Sequence, residues 1–239
     1  MRIADSVVLV TGANRGIGAE FLRQLRQRGA TKIYAGARNP QSVAGGEGIE
    51  AIALDITDRE QVAAAAERAG DVQIVINNVG IAIPQPLVDG DLGKIHTEFE
   101  TNVFGPVYVA RSFAPVLKSN GGGAIVNALS AVSWFSFPGS AGYSATKAAA
   151  WSLTDALRLE LQGQGTLVLG YHMGPVDTPM GGDIVGEFPI AKISPETVVA
   201  AVLDALEAGS AEVTIDDVTR LVKSTLTSDP SRYATILGG

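Results

Sequence analysis

The chain has 239 residues, of which 46% are hydrophobic and 18% charged, and its formal net charge is -7 at pH 7. This composition excludes a disordered polar chain, is sufficient for one sizeable hydrophobic core, and argues against a nucleic-acid backbone as the main partner. Because the chain has no cysteine and only two histidines, disulfides, thiolate metal sites and multi-histidine metal sites are excluded as well.

Short apolar runs alternate with longer amphipathic stretches along the chain. The predicted strands cover residues 7–10, 32–35, 51–54, 72–76, 124–126, 167–171 and 213–215. The predicted helices cover residues 16–28, 58–69, 91–117, 143–161 and 195–208. Alternation of this kind implies parallel strands with right-handed crossovers, and apolar strands require helices on both faces of the sheet. We predict a doubly wound α/β fold in a single domain, residues 1–239, with its ligand site beyond the carboxyl ends of the strands.

Targeting and membrane signals are not visible. Residues 1–10 lack the long apolar stretch and cleavage site of a signal peptide, and no apolar run is long enough to cross a bilayer. We therefore expect a cytoplasmic protein with no membrane and no nucleic acid among its partners.

A glycine-rich loop, TGANRGIG at residues 11–18, joins the first predicted strand to the first predicted helix. Glycines let backbone amides approach a pyrophosphate, and the helix N-terminus favours an anion. An ordinary glycine-rich turn is the alternative, but the strand before and the helix after favour dinucleotide binding. The candidate cofactor-binding residues here are Gly12, Asn14, Arg15, Gly16, Ile17 and Gly18.

Two arginines bear on the choice of cofactor. Arg15 lies inside the glycine loop, and Arg38 follows the second strand, where dinucleotide folds meet the adenosine ribose. An acid at that position would bind a ribose diol, whereas an arginine accommodates a 2′-phosphate. We predict NADP(H), with NAD(H) less favoured; the alternative is that both arginines are solvated surface charges.

Tyr143 and Lys147 are four residues apart on a predicted helix and therefore share one face. A nearby ammonium group favours the phenolate and so lowers the pKa of a tyrosine, which lets the phenol act as a general acid or base. Ser130 follows the fifth strand, where its hydroxyl can hydrogen-bond a carbonyl oxygen. Each of these three residues alone also has an ordinary structural explanation.

Together these motifs are similar to those of the classical short-chain dehydrogenase/reductase family. The resemblance rests on the glycine loop, NNVG at residues 77–80, Asn102, Ser130 and YSATK at residues 143–147, which occur in the family's order along the chain. It implies a Rossmann-type domain with a seven-stranded parallel sheet, and a homodimer or homotetramer.

The resemblance also implies roles for individual residues. Tyr143 would be the general acid/base, Lys147 would lower its pKa and hydrogen-bond the nicotinamide ribose, and Ser130 would orient the substrate carbonyl. Asn102 would hold a water that links Lys147 to solvent, or would instead be a buried asparagine bonding helix backbone. Further residues implied to bind the cofactor are Asp55, Ile56, Asn77, Gly80, Val176 and Thr178.

The substrate is less defined by the sequence. Trp134 and Phe135, between Ser130 and Tyr143, suggest an apolar substrate wall, with core or oligomer packing as the equal alternative. A short segment at about 178–194 would form the substrate lid, and its few charges favour an uncharged aldehyde or ketone. We therefore predict an NADP(H)-dependent carbonyl reductase without a metal. A catalytically silent NADP-binding regulator and an imine or quinone reductase remain alternatives.

Overall fold

The computed structural model describes residues 1–181 and 191–226. Its core is a seven-stranded parallel sheet with strand order β3-β2-β1-β4-β5-β6-β7. The strands are β1 Val7–Thr11, β2 Lys32–Ala37, β3 Ile49–Ala53, β4 Ile74–Asn77, β5 Ala124–Ala128, β6 Leu167–His172 and β7 Glu212–Thr214. The sequence order reverses between β1 and β4, so the carboxyl ends of these two strands border a crevice. The predicted doubly wound, Rossmann-type fold is confirmed.

Helices cover both faces of the sheet. They are α1 Gly16–Gln27, α2 Arg59–Arg68, α3 Leu92–Phe99, α4 Gly105–Ser119, α5 Ala141–Leu161, α6 Pro195–Glu207 and α7 Asp217–Ser224. One apolar layer packs α1 and α6 against the sheet, with Phe21 and Leu203 fully buried in it. The opposite layer packs α2 and α4, with Val62 and Phe113 fully buried. Burial on both faces explains why the strands read as continuous apolar runs.

The predicted helix over 91–117 differs from the structure in its middle. Residues Glu100–Phe104 form a π-helical turn between α3 and α4, so the helical segment continues but its winding widens there. Such turns accommodate one extra residue and occur frequently at functional sites.

Some helices have a side-chain cap at their N-terminus and others do not. Side chains cap α2, α3, α6 and α7, in each case an Asp or Ser that accepts from a backbone amide of the first turn. Neither Arg15 at the start of α1 nor Ser140 at the start of α5 provides a side-chain cap. The backbone N–H groups at the starts of α1 and α5 are therefore available to other groups.

Two segments differ from the sequence-based prediction, namely a C-terminal helix and the predicted lid. Helix α7 was not predicted, and the Asp216 side chain caps it by accepting from the amide of Thr219. Most of the predicted lid at about 178–194 lies outside the described residues, although Ile193 forms an isolated parallel bridge with Val176. Among the helices described, none combines the length and apolarity needed to span a membrane.

Candidate active site

A cleft of about 510 Å³ opens at the carboxyl ends of the central strands. The predicted site residues that line it are Gly12, Asn14, Arg15, Gly16, Ile17, Arg38, Asp55, Ile56, Gly80, Tyr143, Lys147 and Thr178. The glycine loop and the tyrosine-lysine pair, more than a hundred residues apart in the sequence, thus open onto one cavity.

Other cleft residues were not among the predicted site residues. Thr97, Glu100 and Thr101 face the cleft from the end of α3 and the π-helical turn. Leu54 and Thr57 line it beside Asp55, and Met173, Pro179 and Met180 line it near Thr178. Apart from the acid Glu100, these side chains are apolar or small and polar, and such residue types are too common for a sequence pattern to select them.

The glycine loop is shaped by close backbone packing. Gly12 has a φ of +66°, and a Cβ placed on it would lie 2.9 Å from Val79 Cγ2. A Cβ on Gly18 would lie 2.0 Å from the carbonyl oxygen of Gly12, so α1 can approach β1 only without a side chain there. Because α1 also begins without a side-chain cap, its free amides fit a phosphate group at this end of the cleft.

Arg15 and Arg38 are exposed cations in this cleft. Within residues 1–181 and 191–226 neither forms an ion pair, whereas Arg28 and Arg68 are paired with acids. Two unpaired guanidinium groups along one cleft wall favour an anionic ligand beyond the pyrophosphate position.

Asp55 and Ile56 form the neighbouring wall, at the end of β3. Asp55 Oδ1 accepts hydrogen bonds from the Thr57 amide at 3.0 Å and the Thr57 hydroxyl at 2.8 Å. The carboxylate is thereby fixed in orientation, and it is free of any capping role because Asp58 caps α2. Ile56 is buried and offers an apolar surface on the cleft side.

Tyr143 and Lys147 line the cleft, whereas Ser130 is not among the residues that line it and acts on Tyr143 from the end of β5. All three side chains are buried, with exposed fractions of 8%, 8% and 3%. The Ser130 hydroxyl donates to the carbonyl oxygen of Met173 at 3.4 Å and accepts from the N–H of Val132 at 3.3 Å, and it acts on the Tyr143 phenol by lowering its pKa. Lys147 Nζ lies 5.7 Å from the centre of the Tyr143 ring and donates a 2.9 Å hydrogen bond to the carbonyl oxygen of Ala128. These groups are the ones that proton transfer to a carbonyl oxygen requires.

The acidity of Tyr143 and Lys147 depends on their burial. Burial raises the pKa of Tyr143 to about 12, and the opposing effect of the Ser130 hydroxyl offsets only part of this. Burial also lowers the pKa of Lys147 to about 8. In the free protein, removal from water thus dominates the pKa of Tyr143, and the effect of Lys147 on that pKa stays a prediction.

Asn102 lies in the π-helical turn and is buried. Its amide clasps the backbone of Ile81: Oδ1 accepts from the N–H and Nδ2 donates to the carbonyl oxygen, both at 2.8 Å. Nδ2 also donates to Thr146 Oγ1 at 3.0 Å. Asn102 thus ties the cleft wall after β4 to α5, and its predicted role as a water holder remains a prediction.

A second, much smaller cavity lies behind Lys147, between β4, β5 and the helices α4 and α5. Asn77, Asn102, Asn127 and Lys147 contribute polar atoms to its lining. Asn77 Nδ2 donates to Asn127 Oδ1 at 2.9 Å, which links β4 to β5, whereas Asn77 Oδ1 is buried without a partner within the described chain. Asn77 therefore lies outside the main cleft and joins neighbouring strands.

The remaining predicted residues lie around Ser130. Ser130 starts a short 3-10 turn through a capping box with Ser133. Its carbonyl oxygen accepts from the Nδ1 of His172 at 3.1 Å. Trp134 stacks on His172, with ring centroids 4.0 Å apart. This packing accounts for the burial of Trp134 without a substrate.

Phe135 belongs to the same buried cluster as Trp134, and its ring lies 6.2 Å from that of Phe137. Val176 is 5% exposed and packs in the core, while Thr178 approaches the glycine loop, 3.3 Å from where a Cβ on Gly16 would lie. Of these residues, Thr178 alone lines the described cleft, so contacts of the others with substrate or cofactor stay predictions.

Comparison with known proteins identifies the family of this chain. A sequence model described as "short chain dehydrogenase" matches residues 6–187. The chain belongs to the short-chain dehydrogenase family. A short-chain dehydrogenase from Burkholderia cenocepacia J2315, solved in complex with NADP, is 39% identical, covers 99% of each chain and superimposes with a TM-score of 0.92.

Two more distant relatives of this short-chain dehydrogenase have named activities. Sulfoacetaldehyde reductase 2 of Chromohalobacter salexigens is 31% identical over 93% of this chain and 89% of its own length. The 3-ketoacyl-(acyl-carrier-protein) reductase of Brucella melitensis, solved with NADH, is 26% identical with a TM-score of 0.81 and covers 90% of this chain and 97% of its own. The chain thus belongs to an oxidoreductase family, of which the Burkholderia and Brucella structures contain NADP and NADH, respectively.

Proposed function

We propose that this protein is an NADP(H)-dependent oxidoreductase that reduces an uncharged aldehyde or ketone to the corresponding alcohol, and that catalyses the reverse oxidation of that alcohol. The observation that carries the proposal is the convergence of Tyr143 and Lys147 on the cleft that also contains the glycine loop. A proton-transfer group and a dinucleotide cradle in one cavity are what carbonyl reduction needs.

The chain's own residues divide the work between binding and proton transfer. The glycine loop and the first turn of α1 would hold the pyrophosphate, and Lys147 would hold the nicotinamide ribose. When bound, the nicotinamide supplies the hydride for the carbonyl carbon. The Ser130 hydroxyl donates a hydrogen bond that orients the carbonyl oxygen, and Tyr143 donates its phenolic proton to that oxygen as the alcohol forms.

The preference for NADP(H) rests on Arg15 and Arg38. Both are exposed in the cleft and have no acidic partner in the described ranges, so a 2′-phosphate can pair with them at no cost in broken ion pairs. The Burkholderia relative solved with NADP supports this preference, while the Brucella relative solved with NADH makes the NADH comparison an essential part of the test.

The test is a cofactor-absorbance assay of the purified protein with NADPH and NADH against a panel of aldehydes, ketones and secondary alcohols. Tyr143→Phe is expected to lower turnover by about 100-fold or more while NADPH binding, followed by cofactor fluorescence, is retained. Tyr108→Phe, which removes a phenol outside the cleft, serves as the matched control. Unchanged turnover in Tyr143→Phe with intact NADPH binding would refute the proposal. Tight NADPH binding without turnover of any substrate would favour the regulator alternative.

A further inference from the structure

Glu98, on the last turn of α3, is a buried acid with no part in the proposed reaction so far. Its side chain is 0% exposed. Oε1 accepts a 2.7 Å hydrogen bond from the backbone N–H of Ile83, whereas Oε2 is buried with no partner in the part of the chain that the structure describes. An unpaired buried carboxyl oxygen costs stability, so its presence calls for a reason.

The free oxygen of Glu98 lies against the first turn of α5. A Cβ on Gly142 would lie only 2.2 Å from Glu98 Oε2, so the carboxyl reaches the helix backbone because residue 142 has no side chain. Gly142 directly precedes Tyr143. Helix α5 begins without a side-chain cap, and the positive end of its dipole favours an anion at this position.

Glu98 also fixes the wall of the cleft. Asn102, four residues further along, accepts from the N–H of Ile81 at 2.8 Å while Glu98 accepts from the N–H of Ile83. The two side chains therefore clamp the segment after β4, of which Gly80 and Ile81 line the cleft. Glu98 touches both this segment and the helix that carries Tyr143.

We infer that Glu98 is a positioning residue for proton transfer, which holds the cleft wall at Ile83, packs against the first turn of α5 and places a buried carboxyl group beside Tyr143. The inference rests on the proposed function of Tyr143. It assigns to Glu98 the task of setting the pH range over which the phenol exchanges its proton, without any contact with substrate.

Four groups act on the Tyr143 phenol from the elements packed around it. Ser130 after β5 lowers the pKa of the phenol, Lys147 on α5 lies over its ring, Tyr171 on β6 interacts with it electrostatically, and Glu98 acts from α3. Burial is the main cause of the raised pKa of Tyr143, and the charge of Glu98 raises that pKa further. Burial also raises the pKa of the Glu98 carboxyl, and the hydrogen bond from Ile83 opposes that rise. Where Glu98 is ionised its charge opposes the phenolate, so removal of that charge lowers the pH at which Tyr143 can act as a base.

The experiment compares wild type with Glu98→Gln, which keeps an oxygen to accept from Ile83 but removes the charge. Alcohol oxidation with NADP⁺ is measured from about pH 6 to pH 10, because the positive charge of the bound nicotinamide favours the phenolate and brings its pKa below that of the free protein. We expect the midpoint of the rise in kcat to move down by about one pH unit, with the KM for NADP⁺ unchanged. Glu160→Gln removes an exposed charge further along α5 and is expected to leave the profile unmoved. A midpoint in Glu98→Gln equal to that of wild type overturns the inference.

A second measurement applies if Glu98→Gln turns over too slowly for a profile. The ultraviolet absorbance of tyrosinate is titrated in Glu98→Gln and wild type, each corrected by the same titration in a Tyr143→Phe background. A lower apparent pKa of the Tyr143-dependent signal in Glu98→Gln supports the inference, and equal values overturn it. If Tyr143→Phe itself retains turnover, the proposed function has failed; if Tyr143→Phe is inactive and Glu98→Gln moves neither signal, the inference on Glu98 alone has failed.

Discussion

Lys147 gives the most quantitative prediction, because burial disfavours the charged form of its side chain and so makes the stability of the protein depend on pH. Its side chain is 3% exposed, and burial lowers the pKa of the ammonium group from 10.5 to about 8. The unfolded chain therefore holds this proton more tightly than the folded protein does. The stability of the wild type should rise as the pH increases above about 8, and the gain should level off near 10.5, where the unfolded chain also loses the proton.

The magnitude follows from the difference of about 2.5 pH units between 10.5 and 8. At about 1.36 kcal/mol per unit the full effect is about 3.4 kcal/mol, of which about 2.5 kcal/mol develops between pH 7 and pH 10. Lys147→Met has no such proton. The free energy of unfolding of wild type should therefore gain about 2.5 kcal/mol relative to Lys147→Met over this pH range.

Urea denaturation followed by circular dichroism at pH 7, 8, 9 and 10 measures this difference. Lys118→Met, a substitution of an exposed lysine on α4, is the matched control and is expected to track wild type at each pH. A wild-type minus Lys147→Met difference that stays constant within about 0.5 kcal/mol, or that changes in the opposite direction, would show that Lys147 is not desolvated as the structure indicates.

Three further substitutions test the cofactor end of the cleft and its supports. Arg38→Asp is expected to weaken NADPH binding by about 10-fold or more and to leave NADH binding intact, because an ion pair with the 2′-phosphate becomes a repulsion. Parallel fluorescence titrations measure both affinities, and an unchanged ratio of NADPH affinity to NADH affinity would contradict this prediction. Gly18→Ala places a Cβ within 2.0 Å of a backbone oxygen and should lower the free energy of unfolding by about 1–3 kcal/mol, as measured by thermal denaturation. Gly163→Ala, which adds a Cβ in open space, should not lower it, and equal melting temperatures for the two variants would contradict the packing argument. Asn102→Ala removes both hydrogen bonds to Ile81 and should lower the free energy of unfolding, measured by urea denaturation, by about 2 kcal/mol. An unfolding midpoint equal to that of wild type would mean that these two hydrogen bonds do not contribute to stability.

The sheet and its helices could be predicted from the sequence because burial on both faces leaves unbroken apolar runs, as at 7–10 and 167–171. The π-helical turn could not, since the helical spacing of apolar residues continues on either side of Glu100–Phe104 and one extra residue changes only their register. Helix α7 was missed because it is short and largely polar, with Thr219 and Val222 as its buried residues.

Residue types and spacing selected Tyr143, Lys147 and the glycine loop, and the structure brings these onto one cleft. The pKa values of Tyr143 and Lys147 could not be predicted from the spacing of the two residues, because these values depend on how completely packing removes the side chains from water. Glu98 gave no signal at all. A single acid on an amphipathic helix reads as a solvated charge, and its burial depends on a glycine 44 positions away in the chain.

The wide turn at Glu100–Phe104 also limits how this segment of the gene can vary in length. Loss of one residue there would restore regular α-helical winding, yet it would rotate everything upstream in α3 by about 100° about the helix axis relative to α4. Glu98 would then swing out of reach of the backbone it holds, while the contacts of α4 with the sheet would survive. A locally more regular helix would thus yield a folded protein with a loosened cleft wall.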